Sequence, residues 1–246
     1  RESTRGLSAH RHAESAMVIS AEILKASSAG DWSSVEAEIN SGAFSVNDQR
    51  EVGYSDNGET LLCYSLKVLD NGETPLAFVR KLLEFGADPN ISRQDGSVPL
   101  HFASHPDQAA LLLAYGAEVD PRDSQGQTPL LWRTELAKDL HFNDREIDRL
   151  PDLVRTLLRH GADYDAQDSR GIDVHELAQR GAGWKRQQLR ERSHGLSYSA
   201  GLNEYFMDQV DCFEDVRDLI EALRAQCRFQ IFSRPILPRF DDHGLP

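Results

Sequence analysis

Paired apolar residues followed by glycine punctuate this chain at intervals. Leu82-Leu-Glu-Phe-Gly-Ala-Asp-Pro-Asn90 recurs as Leu112-Leu-Ala-Tyr-Gly-Ala-Glu-Val-Asp120 and again as Leu157-Leu-Arg-His-Gly-Ala-Asp-Tyr-Asp165. A fainter copy is Ile39-Asn-Ser-Gly-Ala-Phe-Ser-Val-Asn47. In each, two apolar residues turn a helix face toward a core, and Gly ends the helix because it accepts left-handed backbone. A second pattern follows the stops: Asp56-Asn-Gly-Glu-Thr-Leu-Leu62, Gln94-Asp-Gly-Ser-Val-Pro-Leu-His101 and Asp123-Ser-Gln-Gly-Gln-Thr-Pro-Leu130. Asp, Asn and Gly make a tight turn. The Thr hydroxyl caps the N–H groups of the next helix, and Pro suits its first turn. Each unit therefore reads as turn, inner helix, loop, outer helix, Gly stop.

These residues resemble the ankyrin repeat, with Val98-Pro-Leu-His-Phe-Ala103 and Gly116-Ala117 as the best single match. The resemblance covers roughly residues 20 to 181. It implies an all-α, ankyrin-repeat solenoid of about five helix-pair units with β-turn fingers. It also implies protein–protein binding without chemistry. The expected layout is a flexible segment over 1–14, the repeat domain over 15–183, and a C-terminal helical cap with an extended tail over 184–246.

The spacing departs from the repeat period of about 33 residues. Gly42 to Gly86 is 44 residues, Gly86 to Gly116 is 30, and Gly116 to Gly161 is 45. In the first long unit the excess is split between the turn near Arg50 to Ser55 and the inter-helix loop near Leu69 to Glu73; in the second, nearly all of it predicts an enlarged inter-helix loop near Ala137 to Leu150. The two inter-helix loops would form two raised walls of a saddle around a short unit joined at His105-Pro106. In the longer wall, a helix is expected to begin near Asn143-Asp144 and to end or kink at Pro151. Thr74-Pro75-Leu76 looks like a repeat opening, but runs directly into the Gly86 stop and so predicts an outer helix. The first unit is degenerate, with Ala21 to Ala26 as inner helix and Trp32 to Ile39 as outer helix. The last opens at Asp168-Ser-Arg-Gly171.

Beyond it, Phe213, Val216, Ile220, Leu223 and Cys227 fall at three- and four-residue steps and line one helix face. That stripe is expected to cover the open end of the stack. A basic run (Arg180, Lys185, Arg186, Arg190, Arg192) should pair with an acidic one (Glu204, Asp208, Asp211, Glu214, Asp215, Asp218, Glu221). Phe232 to Phe240, with two prolines, should be extended.

Composition narrows the function classes. The formal net charge is −13 and the mean hydropathy −0.51. An acidic chain without a basic stripe argues against nucleic acid and anionic lipid as partners, and no apolar run spans a bilayer. Three cysteines, none in a C-x-x-C pair, argue against a disulfide framework or structural zinc and point to a reducing compartment. A cytoplasmic location is expected, with the nucleus and delivery into a host cell as alternatives.

Candidate chemistry is sparse. His101 and His105 are four apart, yet nothing completes a metal site, and the resemblance gives His101 a structural hydrogen bond. There is no G-x-S-x-G, H-E-x-x-H or phosphate loop. No cofactor or metal is expected. An enzyme centred on Asp211 and His194 in the C-terminal extension is the rival reading. The resemblance places partner contacts at the turn tips and inner helices: Asn57, Glu59, Gln94, Asp95, Ser124, Gln125 and Gln127 in the turns, and Lys67, His105, Trp132 and Glu135 on the helices. Phe142 and Arg145 are the candidates on the longer wall. The implied partner is a protein, one with a basic surface being favoured, bound by an adaptor, an immunity-type protein or an effector that is monomeric when unbound. Tyr64, Phe102 and Trp132 share one inner-helix position and are expected to pack between units. Arg133 stands where the repeat wants a small residue. An Asn such as Asn90 at a unit junction is a hydroxylation target in some ankyrin proteins.

Overall fold

The computed structural model describes residues 23, 25, 26, 29, 31–42, 45–50, 58–68, 76–139, 146–193 and 200–232. They are mostly helical. Ile23, Lys25 and Ala26 are helical ahead of α1 (Trp32–Ser41), whose first turn is capped by the Asp31 carboxylate accepting from the Ser34 N–H. A two-residue antiparallel pair joins β1 (Gln49–Arg50) to β2 (Glu59–Thr60), with Gln49 opposite Thr60. Then follow α2 (Leu61–Val68), α3 (Leu76–Glu84), α4 (Pro99–Phe102), α5 (Pro106–Ala114), α6 (Pro129–Asp139), α7 (Glu146–Arg159), α8 (Val174–Ser193) and α9 (Ala200–Phe232).

The helices pack in two rows. One row runs α2, α4, α6, α8, and the other α3, α5, α7, α9, each helix touching the next in its row. A helix pair this short has an apolar face on either side, so it is stable only between neighbours. The buried residues accordingly form one continuous core from Ile23 to Ile220. The stops behave as the pattern predicts: Gly42, Gly86, Gly116 and Gly161 all have positive φ. At each of the last three, the following Ala N–H reaches back to the apolar pair, as Ala87 does to Leu82 at 3.0 Å.

Four turns carry glycines at equivalent places, Gly58, Gly96, Gly126 and Gly171, all at positive φ. Gly96 and Gly126 are constrained twice over. A Cβ there would lie 3.2 Å from the Asp123 backbone and 3.0 Å from the Ser169 nitrogen, respectively. The turns come this close because they bond to each other. The Ser124 N–H donates to the Asp95 carbonyl at 2.7 Å, and the Ser169 N–H to the Gln125 carbonyl at 2.9 Å.

The longer wall differs from the sequence expectation. Ala137 to Asp139 are the last turn of α6, and Glu146 to Leu150 the first turn of α7. Ile147 and Leu150 are buried, so they continue the apolar face of the outer helix and draw the segment into it. A helix is present close to the expected start, α7 running from Glu146, but it does not end at Pro151, which lies inside it. Residues 140–145, with Phe142 and Arg145, and the first wall at 69–73 lie outside the described residues, as does the segment 1–14. Thr74-Pro75 precedes an outer helix as expected, α3 beginning at Leu76.

At the far end α9 lies against α7 and α8. Phe213, Val216 and Ile220 are fully buried and Leu223 partly so, while the Cys227 side chain is outside the described residues. The residue 183/184 boundary expected between repeat domain and cap falls within the unbroken α8. Phe232, expected to begin an extended tail, is still helical in α9, and 233–246 are not described. The charge runs pair in part. Arg186 bonds Glu214 across the two helices; Glu221 of the acidic run is met instead by His175, which lies outside the basic run, at 3.0 Å. Arg180 pairs instead with Glu176 on its own helix, and Lys185 is buried.

The α8–α9 contact sits on Gly181. A Cβ there would fall 2.5 Å from the Phe213 ring. In an exposed helix Gly to Ala would stabilise by about 1 kcal/mol. Here overpacking reverses the sign. Gly181→Ala is expected to destabilise by about 1–3 kcal/mol in urea unfolding, with α9 the region that loosens.

Candidate interaction face

The turns and the inner helices α2, α4 and α6 together form the face on which the sequence placed its contacts. The local chemistry of the turns sets its rigidity. Within the three turns around Gly96, Gly126 and Gly171, a carboxylate accepts from N–H groups. Asp95 Oδ1 accepts from the Ser97 N–H at 3.0 Å, Asp123 Oδ1 from the N–H groups of Gln125 and Gln127 at 2.9 and 2.8 Å, and Asp168 Oδ1 from those of Arg170 and Ile172 at 2.8 and 3.0 Å. Side chains then tie each turn to the next. Gln49 Nε2 donates to its own turn at the Gly58 carbonyl (3.0 Å) and onward to the Ser92 carbonyl (2.8 Å). Arg122 occupies the same place further along and donates to the Gly126 and Gln167 carbonyls at 2.8 and 2.6 Å.

His101 locks α4 to the following turn. Its Nδ1 accepts from the Val98 N–H at 3.1 Å, so its Nε2 carries the proton and donates to the Gln127 carbonyl at 3.2 Å. Burial holds this imidazole below its usual range, and the neutral ring is the form the two bonds require. His101 is a structural bridge, in line with its expected role. Among the described residues no group of three or more His, Cys, Asp or Glu could hold a metal ion.

The sequence candidates divide on burial. Gln94, Ser124 and Gln125 are exposed at the turn tips, and Asp95 is half-buried. Glu59 and Gln127 are buried: Glu59 pairs with Lys67 at 3.0 Å, and Gln127 donates to Glu135. These two pairs occupy equivalent positions in their units, and their inner members, Glu59 and Gln127, serve the stack rather than the surface. His105, equivalent to Lys67 and Glu135, is half-buried at the start of α5, with Arg149 Nη1 of α7 donating to its Nε2 at 2.7 Å. Trp132 is half-buried and meets Phe102 edge-on at 5.3 Å between centroids. Lys67 and Arg93 lie over Phe102 at 5.7 and 5.1 Å. The aromatic position thus packs between units as expected, with cations along its margin. Arg133 is buried, with its guanidinium 5.8 Å from the Trp132 ring. Asn57, Phe142 and Arg145, and His194 of the rival enzyme reading, lie outside the described residues, and Asp211 is exposed on α9.

Arg170, a further turn residue of the kind the resemblance places at the tips, ties the last turn to an inner helix. It bonds Glu135 at 2.7 Å and Asp168 at 2.6 Å, joining the last turn to α6 while remaining half exposed. The pattern Asp-x-Arg-Gly at 168–171 already put an arginine on a turn tip, but only the fold shows which carboxylates it meets. The exposed charges on this face are therefore mixed in sign. No family model matches the chain, and no match is found among curated proteins.

Cys63 and Cys212 behave as packing residues. Burial pushes the Cys63 thiol up to about 12, and Cys212 likewise, with Asp148 and Asp215 adding to the latter. Neither is a ready nucleophile. Among the described residues no helix is long and apolar enough to cross a membrane.

Burial pushes the Asp168 carboxyl up, but the N–H of Ile172 and the bonds from Arg170 outweigh it and hold the group below 3.8. A depressed carboxylate adds stability above its unfolded value and loses it as pH falls through the folded one. Asp168→Asn is expected to cost about 2 kcal/mol at neutral pH, and the gap from wild type should close as pH drops below 3.8. Urea unfolding across that range checks it.

Proposed function

We propose that this chain is an ankyrin-repeat solenoid acting as a non-catalytic recognition module for a protein partner. The observation that carries the reading is the division of labour within the turns. Their backbones and buried side chains are consumed in bonds between units, while Gln94, Ser124 and Gln125 at the tips are exposed. A surface held rigid from behind and left solvent-facing in front is preorganised for binding, which lowers the entropy cost of association. The face offers half-buried Trp132 as an anchor, and Lys67, Asp95, Glu135 and Arg170 as its charged groups. Because these charges alternate, a partner of mixed charge suits the face better than a uniformly basic one. Adaptor, immunity-type and effector roles all use such a module, and a reducing compartment suits the unpaired, inert thiols of Cys63 and Cys212.

The test pairs capture with tip variants. The chain is used to recover a stoichiometric protein from its native cell, and binding is then measured for a Gln94→Ala, Ser124→Ala, Gln125→Arg variant. Fold, read by far-UV spectrum and melting, is expected to stay intact while affinity falls at least about tenfold. Unchanged binding by that variant would move the site off this face. Turnover of a small molecule without any protein partner would favour the enzyme reading at the C-terminal helices.

A further inference from the structure

One position recurs at every junction between units: Asn47, Asn90, Asp120 and Asp165, four residues after the Gly stop, or five in the first unit. At the first two junctions the amide makes a two-way clasp onto the next unit. Asn47 Nδ2 donates to the Gly86 carbonyl at 3.0 Å, and its Oδ1 accepts from the Asp88 N–H at 2.8 Å. Asn90 repeats this with the Gly116 carbonyl at 2.9 Å and the Glu118 N–H at 2.8 Å. At the third junction the residue is Asp120. Its Oδ2 accepts from the Asp163 N–H at 3.0 Å, the same half of the clasp. Its Oδ1 is buried and has no hydrogen-bond partner. A carboxylate has no hydrogen to give, so the donor half of the clasp, whose counterpart here is the Gly161 carbonyl, is missing.

We propose that Asp120 is a proton-operated latch between the third and fourth units, loose when the carboxylate is ionised and closed when a proton on Oδ1 restores the donor that Asn supplies at the other junctions. The surroundings favour taking up that proton. Burial is the largest cause and raises the carboxyl above 3.8; the Asp163 N–H that Oδ2 accepts lowers it, the Asp163 carboxylate across the junction raises it, and Arg122, whose own guanidinium bonds the Gly126 and Gln167 carbonyls, lowers it in part, so that burial prevails. Because the folded value is raised, the junction is strongest at low pH and weakens as pH rises through the folded value. This is opposite in sign to Asp95, Asp168 and Asp173, whose depressed carboxyls make the rest of the stack weaker in acid.

Asp120→Asn separates the two effects, since every other carboxylate is common to both proteins. Amide hydrogen exchange at Asp163, corrected for the intrinsic pH dependence of exchange, reads the junction directly. At neutral pH the variant should exchange roughly tenfold more slowly than wild type, the size of one net hydrogen bond. As pH is lowered toward 3.8 the two rates should converge, because the wild-type latch closes. Asp120→Ala, which has neither donor nor acceptor, should exchange faster than wild type at both ends of the range. The proposal is overturned if Asp120→Asn exchanges as fast as wild type at neutral pH, or if the gap stays constant as pH falls.

Discussion

Every helix pair in this molecule must lend an apolar face to a neighbour on each side, and the remaining structure follows from that requirement. Two short helices enclose no core of their own, so burial is obtained only between pairs. The inner row α2, α4, α6, α8 and the outer row α3, α5, α7, α9 are two views of the same repeated contact. The requirement also sets the two ends. Trp32, from α1, meets Phe78 and Phe85 at 5.7 and 5.0 Å and covers the free side of α3. Phe213, pressed onto Gly181, begins the closure at the other end.

Apolar contact alone does not fix how far one pair slides along the next. Register comes from directional bonds: the junction side chains, the His101 bridge, and the turn-to-turn N–H donors of Ser124 and Ser169. The final junction residue, Asp165, has no further unit to clasp. It is met by Arg224 of α9, whose guanidinium bonds Asp165 at 2.8 Å and Asp173 at 2.9 Å. The C-terminal helix therefore closes the stack by charge as well as by its apolar stripe.

Much of this was legible in the sequence because it is written in residues with one strong local meaning. A Gly after paired leucines, a Thr-Pro before a helix and a three-four apolar step each act within a few positions. The α1, α3 and α9 faces were read that way. What escaped was information held between distant positions. In the wall at 137–150 the apolar steps at Ile147 and Leu150 showed a helix start, but not that the helix runs on through Pro151 as one outer helix with both residues buried. On the candidate face, Glu59 and Gln127 read as turn-tip polar residues, but each lies beside an inner-helix partner eight residues on, Lys67 and Glu135, and is buried by it. Spacing alone could have suggested those pairs. Arg170 bridging Glu135 across 35 residues could not have been read without the fold.

The account rests on the turns and inner helices being the surface that meets a partner. Hydrogen–deuterium exchange of the full chain, free and mixed with a protein recovered alongside it, tests this proposal most directly. The account predicts protection concentrated in the turns around Gly96, Gly126 and Gly171 and in α4 and α6, with α8 and α9 unchanged. Protection confined to α8 and α9, with those turns exchanging as in the free chain, would contradict it.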